Sequence, residues 1–209
     1  MEFRSYPFLK NHFIHKQLFT PEQCDWIVDY FKRQNPTNAT VVDNEATSGN
    51  DVKSKRSTDI REGNIVFLSH ENEDTNFLFQ NLFYAALWAN FGWSVLPLRH
   101  LQITEYNAET EGGFYKRHRD IIMGTNPQRI ISCVTQLSKK EDYTGCDLVF
   151  DANSNMPSQF EFCNQGDTIF FTSIEPHEVT PIHSGVRYSL VGWFEGPPIW
   201  TNENLNEHF

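Results

Sequence analysis

The chain has little cysteine, no long apolar run and no surplus of positive charge. Its four cysteines, Cys24, Cys133, Cys146 and Cys163, are scattered over 209 residues and none forms a CxxC pair. That is too sparse for a disulfide scaffold, and free thiols are expected. No stretch approaches the roughly 18 apolar residues that a membrane span requires, so no membrane partner is expected. Lys and Arg total 17 against 27 Asp and Glu, a formal net charge of -10, which argues against nucleic acid as the main partner. The opening MEFRSYPFLKNHF has no basic region leading into an apolar stretch and a small-residue cleavage site. A reducing, cytoplasmic setting is the corresponding expectation.

What is present is apolar and aromatic. Apolar residues make up 39% of the chain, with 18 Phe and 5 Trp, enough for one packed domain over 1–209. Thr20, Pro21 and Gln23 have the spacing of a capping box with proline in the first turn. Cys24, Ile27, Val28 and Phe31 then repeat at helical spacing, predicting a helix that ends near Arg33, before Pro36. Residues 34–63 are polar and poor in apolar anchors, and read either as a long loop that could cover a substrate or as plain disorder. Residues 64–69 read as a strand. Residues 74–90 read as a second helix stopped by Gly92. Beyond Pro97 the pattern becomes short strands divided by turns, at 101–106, 114–119, 130–137, 147–150, 160–163, 168–173, 178–181 and 187–194, with a turn at His183-Ser184-Gly185. Many short strands and two helices predict a barrel or sandwich, since a parallel α/β fold would need a helix between most strands.

The sharpest local feature is His118-Arg119-Asp120. In a strand, residues two apart share a face and lie roughly 6.5–7 Å apart, so His118 and Asp120 can turn toward one centre while Arg119 points away. Alone, an HxD triplet is a weak signal. A third donor from another strand would complete two histidines and a carboxylate, the facial set that suits non-haem Fe(II) and leaves positions open. Of the eight histidines, His208 is close to the C-terminus, His12 and His15 lie in the lead-in, His70 follows the strand at 64–69, and His100 precedes the first barrel strand. His177 and His183 remain. His177 follows an apolar strand, whereas the turn at Ser184-Gly185 accounts for His183. Residues 187–194 put Arg187, Ser189, Val191 and Trp193 on one strand face. An interior Arg187 needs an anion, which a small diacid would supply to its fork; an internal Asp or Glu, or an outward orientation, would serve as well.

Taken in order, several segments resemble one family. They are Leu101 to Tyr106 (LQITEY), Gly112 to Asp120 (GGFYKRHRD), Gly166-Asp167, Pro176-His177-Glu178-Val179, and Gly185 to Leu190 (GVRYSL) followed by Trp193. Over about residues 98–196 they resemble the prolyl-4-hydroxylase branch of the 2-oxoglutarate- and Fe(II)-dependent dioxygenases. The resemblance implies a mainly β fold with flanking helices: a double-stranded β-helix, or distorted cupin-like jelly roll, with N-terminal helices packed on the major sheet. It implies His118, Asp120 and His177 as metal ligands, and Arg187 holding the distal carboxylate of 2-oxoglutarate. Tyr106 would support that carboxylate, with Ser189 beside it, while Tyr115 at the mouth and Trp193 beyond the arginine would meet substrate. Fe(II), 2-oxoglutarate and O2 are implied, and ascorbate in some members.

The activity implied is hydroxylation of a prolyl or related aliphatic residue of a peptide or protein, with release of succinate and CO2. Hydroxylation of a free amino acid or other small metabolite is the alternative within the same chemistry. A jelly-roll metal-binding sensor or structural protein without turnover is the alternative outside it. An open groove bordered by Tyr115 and the 34–63 segment would favour a peptide; a sealed pocket with a second carboxylate-binding arginine would favour a metabolite. Two departures from the family bear on pocket shape: Gly145-Cys146-Asp147-Leu148 stands where many members have a Gly-Gly pair, and Thr135-Gln136 where an aromatic is common. The basic residues Lys53, Lys55 and Arg56, and Lys116, Arg117 and Arg119, read as a solvated loop and rim.

Overall fold

The computed structural model describes residues 11–43, 46, 48–89, 94–110, 113–151 and 155–198; Gly92, Gly112 and His208 lie outside them. In chain order the elements are β1 (His12–His15), α1 (Pro21–Arg33), β2 (Thr37–Asn38), β3 (Val41–Val42), β4 (Ser54–Lys55), β5 (Arg61–Glu62), β6 (Asn64–Ser69) and α2 (Asn76–Ala89). They continue as β7 (His100–Asn107), β8 (Phe114–His118), β9 (Gln128–Gln136), β10 (Tyr143–Gly145), β11 (Leu148–Phe150), β12 (Thr168–Thr172), β13 (His177–Val179) and β14 (Ile182–Gly196).

Two antiparallel sheets face each other. The larger runs β1-β12-β9-β14-β7-β6-β2, with β10 paired to β14, and the smaller runs β11-β13-β8-β5. Alternation along β14 divides the labour between the two faces of the larger sheet. Leu190 and Phe194 join the core that the helices cover, with Leu101, Ile103, Cys133 and Phe170. Arg187, Ser189, Val191 and Trp193 turn to the other face and line the cavity between the sheets. Helix α1 starts as expected: the Gln23 backbone N–H donates to Thr20 Oγ1, and Thr20 N–H donates to Gln23 Oε1. It buries Cys24, Ile27 and Phe31; α2 buries Leu78, Phe79, Leu82, Ala85, Ala86 and Ala89. The result is a mainly β jelly roll with both helices packed on its major sheet. No helix among the described residues is long and apolar enough to cross a membrane.

Four local expectations are corrected. Residues 160–163 are no strand: Gln159–Phe162 is a 3-10 helix started by a capping box between Ser158 and Glu161, and that box outweighs the alternation of Phe160 and Phe162. The 34–63 segment is not structureless, since it contributes β2 to the larger sheet, β5 to the smaller, and the β3-β4 ribbon. The turn expected at residues 183–185 lies inside β14, where Gly185 at φ +74 lets the strand pass the Asp142 carbonyl; a Cβ there would sit 2.0 Å from that oxygen. The lead-in holds a strand, β1, paired with β12. Lys53, Lys55 and Arg56 are each paired, Lys53 with Asp51 at 2.8 Å, Lys55 with Asp43 at 3.2 Å and Arg56 with Glu62 at 3.5 Å. They form no free basic patch.

Candidate active site

Strand β8 stops at His118, one residue short of the expected span, because the chain bends inward there. The N–H groups of Asp120 and Ile121 both donate to the Ser173 carbonyl, at 3.1 and 3.0 Å. The bend carries Asp120 toward the cavity, while Arg119 stays outside and donates from Nε to the Ile174 carbonyl at 2.9 Å. On the neighbouring strand, His177 opens β13 directly opposite His118.

Three donor atoms therefore meet. His118 Nε2 lies 3.6 Å from Asp120 Oδ1 and His177 Nε2 lies 3.6 Å from Asp120 Oδ2. One donor atom from each residue lies within 4.8 Å of the others. The Nδ1 atoms face backbone carbonyls, His118 that of Lys116 and His177 that of Glu175, each at 2.9 Å. A carbonyl can only accept, so each Nδ1 carries a hydrogen and each Nε2 is the ring atom turned to the centre and available to a metal. Burial holds the His177 pKa below its ordinary value against the pull of Asp120. Burial opposes ionisation of Asp120, yet His177, His118 and the Ser132 hydroxyl together hold its carboxyl well below the usual carboxylate range. Ser132 Oγ donates to Asp120 Oδ2 at 2.6 Å and lies 2.9 Å from Ser173 Oγ. Two imidazoles with Nε2 toward one point, one oriented carboxylate and an open side facing a cavity suit a divalent first-row metal ion.

That cavity has a volume of about 260 Å³ and is lined by His118, Asp120, His177, Arg187, Tyr106, Ser189, Tyr115 and Trp193. All the residues singled out from the sequence thus come together around one space; His183 does not, and is exposed on β14. Arg187 is only 1% exposed. Its Nε and Nη2 both donate to Gln136 Oε1, at 3.1 and 2.9 Å, and Nη1 lies 3.9 Å from Cys146 Sγ. Among the described residues no carboxylate lies within 4.0 Å of it, so the internal ion pair that could have explained this arginine is absent, and its need for an anion is unmet. Tyr106 faces it from the adjacent strand β7. One residue from each of the two departing segments, Gln136 and Cys146, thus touches Arg187.

The Tyr115 ring stacks on His118, with centroids 3.5 Å apart at 15°, and its other face carries the Arg61 guanidinium at 4.6 Å. Trp193 lies under Arg129 at 4.1 Å. Ser132, Ser173 and Arg61 were not readable from the sequence. Arg61 belongs to a two-residue strand inside a polar stretch, too short for any periodic pattern to reveal. From the same stretch Thr40, Val41, Val42, Val52 and Ser54 also line the cavity.

Residues 101–195 match the family model described as the 2OG-Fe(II) oxygenase superfamily. A PKHD-type hydroxylase of Colwellia psychrerythraea is 36% identical over 89 residues, 41% of this chain and 39% of the relative. One from Idiomarina loihiensis is 28% identical over 102 residues, 49% of this chain and 46% of the relative. The chain thus spans less than half the length of the curated relatives it matches. Among solved structures, a Pseudomonas putida prolyl-4-hydroxylase superposes with a TM-score of 0.64 at 19% identity, covering 90% of this chain and 94% of that one. A Trichoplax adhaerens prolyl hydroxylase, solved with a hypoxia inducible factor peptide fragment, gives 0.64 at 18% identity, covering 88% and 83%. At these identities the superpositions establish a shared fold.

Proposed function

We propose, from the match of residues 101–195 to the 2OG-Fe(II) oxygenase superfamily model and the geometry of the site, that this chain is a 2-oxoglutarate- and O2-dependent hydroxylase. Its proposed substrate is a prolyl or related aliphatic residue of a peptide or protein. The observation that carries the reading is the convergence of His118, Asp120 and His177 on one point, in the same cavity as a buried arginine that has no counter-ion among the described residues.

Each side chain has a definable task in this reading. His118 and His177 offer Nε2 lone pairs, and Asp120 offers a carboxylate oxygen whose companion is held by Ser132. The metal ion with 2-oxoglutarate and O2 supplies the oxidising chemistry, in which the diacid becomes succinate and CO2 and an aliphatic C–H becomes C–OH. Arg187, squared up by Gln136, receives the far carboxylate of the diacid as a charge-assisted fork, with the Tyr106 hydroxyl and Ser189 completing that end. Tyr115, Trp193 and the 34–63 wall orient substrate and exclude water, so that the reactive centre meets only the intended carbon. The catalytic core is residues 98–196 within one domain, and 34–63 is its substrate-side wall.

The test is Fe(II)-dependent conversion of 2-oxoglutarate to succinate, stimulated by a panel of prolyl peptides. Asp120→Ala is expected to abolish substrate-coupled turnover; coupled succinate formation that persists in this variant would contradict the assignment. Hydroxylation of a free amino acid or small metabolite is the second reading, and the extra arginines in the cavity are the observation that favours it.

A further inference from the structure

We infer that the substrate presents a carboxylate, received by Arg61 and Arg129 on the substrate side of the cavity. The inference rests on the oxygenase reading and goes beyond it by assigning a charge to the substrate.

Arg61 is 8% exposed. Its Nη1 donates to the Thr40 carbonyl at 3.1 Å, it reaches the Tyr106 hydroxyl, and its Nε has no partner. Arg129 is half-buried with its guanidinium carbon over the Trp193 ring at 4.1 Å, and Arg61, Tyr115 and Asp120 lie within its electrostatic reach, as does Glu195 on the neighbouring strand. Among the described residues neither arginine has a carboxylate within 4.0 Å, and both line the cavity that contains His118, Asp120 and His177. A divalent ion, Asp120, dianionic 2-oxoglutarate and Arg187 cancel one another's charge. Glu195, the register partner of Arg129, offsets part of the charge, and Arg61 and Arg129 together still leave net positive charge beside the remaining space. A guanidinium withdrawn from water without an anion is costly, and a carboxylate matches the flat fork that each presents from its aromatic support. An α-carboxylate of a free amino acid and an Asp or Glu side chain of a peptide offer the same group.

The experiment uses the full chain loaded with Fe(II) and 2-oxoglutarate without O2, and titrates matched acid and amide pairs by calorimetry. The pairs are free aliphatic L-amino acids against their amides, N-acetyl-L-proline against N-acetyl-L-prolinamide, and Glu-Pro against Gln-Pro peptides. The acid of at least one pair is expected to bind at least about tenfold tighter. That preference should collapse in Arg129→Gln and in Arg61→Gln. Arg61→Lys, which keeps the charge, should retain part of it, and Arg129→Gln carries the test if Arg61→Gln fails to fold. Discrimination in the amino-acid pairs assigns an α-carboxylate, and in the peptide pairs an acidic side chain. Equal binding of acid and amide throughout, or no binding, overturns the inference. So does a loss of 2-oxoglutarate rather than substrate affinity in Arg61→Gln, which would make Arg61 part of the diacid site. Wild-type 2-oxoglutarate binding and Fe(II)-dependent succinate formation are scored separately: if they are absent, the oxygenase reading fails, and if they are present without discrimination, only this inference fails.

Discussion

Replacing Ser132 by alanine removes one short hydrogen bond, at 2.6 Å, from the carboxylate at the centre of the cluster. Asp120 is 9% exposed, so water does not readily take the place of the lost hydroxyl, and Ser173 Oγ loses its 2.9 Å neighbour. A hydrogen bond to a charged group contributes about 1.5–3 kcal/mol. The unloaded protein should therefore lose about that much stability, read as a lower denaturant midpoint at unchanged slope. Metal affinity should fall as well, because the carboxylate is no longer fixed toward the two imidazoles; the loss of such an orienting partner costs about 10–100-fold. Mn(II) titration followed by the paramagnetic signal of the free ion reads this directly, and Ser132→Thr, which keeps the hydroxyl, should recover most of it. A Ser132→Ala protein that is less stable but binds Mn(II) within about twofold of wild type would refute the orienting role.

Arg187→Ala should weaken 2-oxoglutarate binding by about 2–5 kcal/mol in calorimetry, and an unchanged isotherm would remove Arg187 from that role. Gln136→Leu leaves the guanidinium in place but strips its shared acceptor; it should weaken the same binding by about 1–3 kcal/mol, less than Arg187→Ala. Gly166→Ala should lower stability by at least about 1–3 kcal/mol, because φ is +87 and a Cβ would sit 2.0 Å from the Phe19 carbonyl oxygen. Burial raises the pKa values of Cys24, to about 12, and of Cys133 and Cys146, leaving almost no thiolate at pH 8. Ellman's reagent should then titrate Cys163 alone in the native protein and all four thiols after denaturation, and rapid native labelling of a second thiol would contradict the packing.

The parts legible in the sequence were those with a local cause. Helix α1 was readable because Thr20, Pro21 and Gln23 write its start and a 3.6-residue repeat follows. The cluster was readable because His118 and Asp120 are two apart and His177 is flanked by recognisable strand text. The short strands β2 to β5 were not, since two residues carry no periodicity, and their pairing is dictated by sheet edges far away in the chain. Arg61 was hidden for that reason: only the pairing of β5 with β8 sets it over Tyr115. Ser132 lay in the apolar run of β9, where nothing local marks its contact with Asp120. The 3-10 helix at Gln159–Phe162 has a local signal in the Ser158 and Glu161 capping pair, but the alternation of Phe160 and Phe162 obscures it.

The central claim is that one divalent ion is shared by His118, Asp120 and His177 while Arg187 grips the far end of a diacid in the same cavity. An anaerobic crystal structure with Mn(II) and 2-oxoglutarate tests both parts at once. The account predicts a single ion bonded to both Nε2 atoms and an Asp120 oxygen, with the distal carboxylate on the Arg187 guanidinium. An ion held elsewhere, or a diacid that leaves Arg187 untouched, would contradict it.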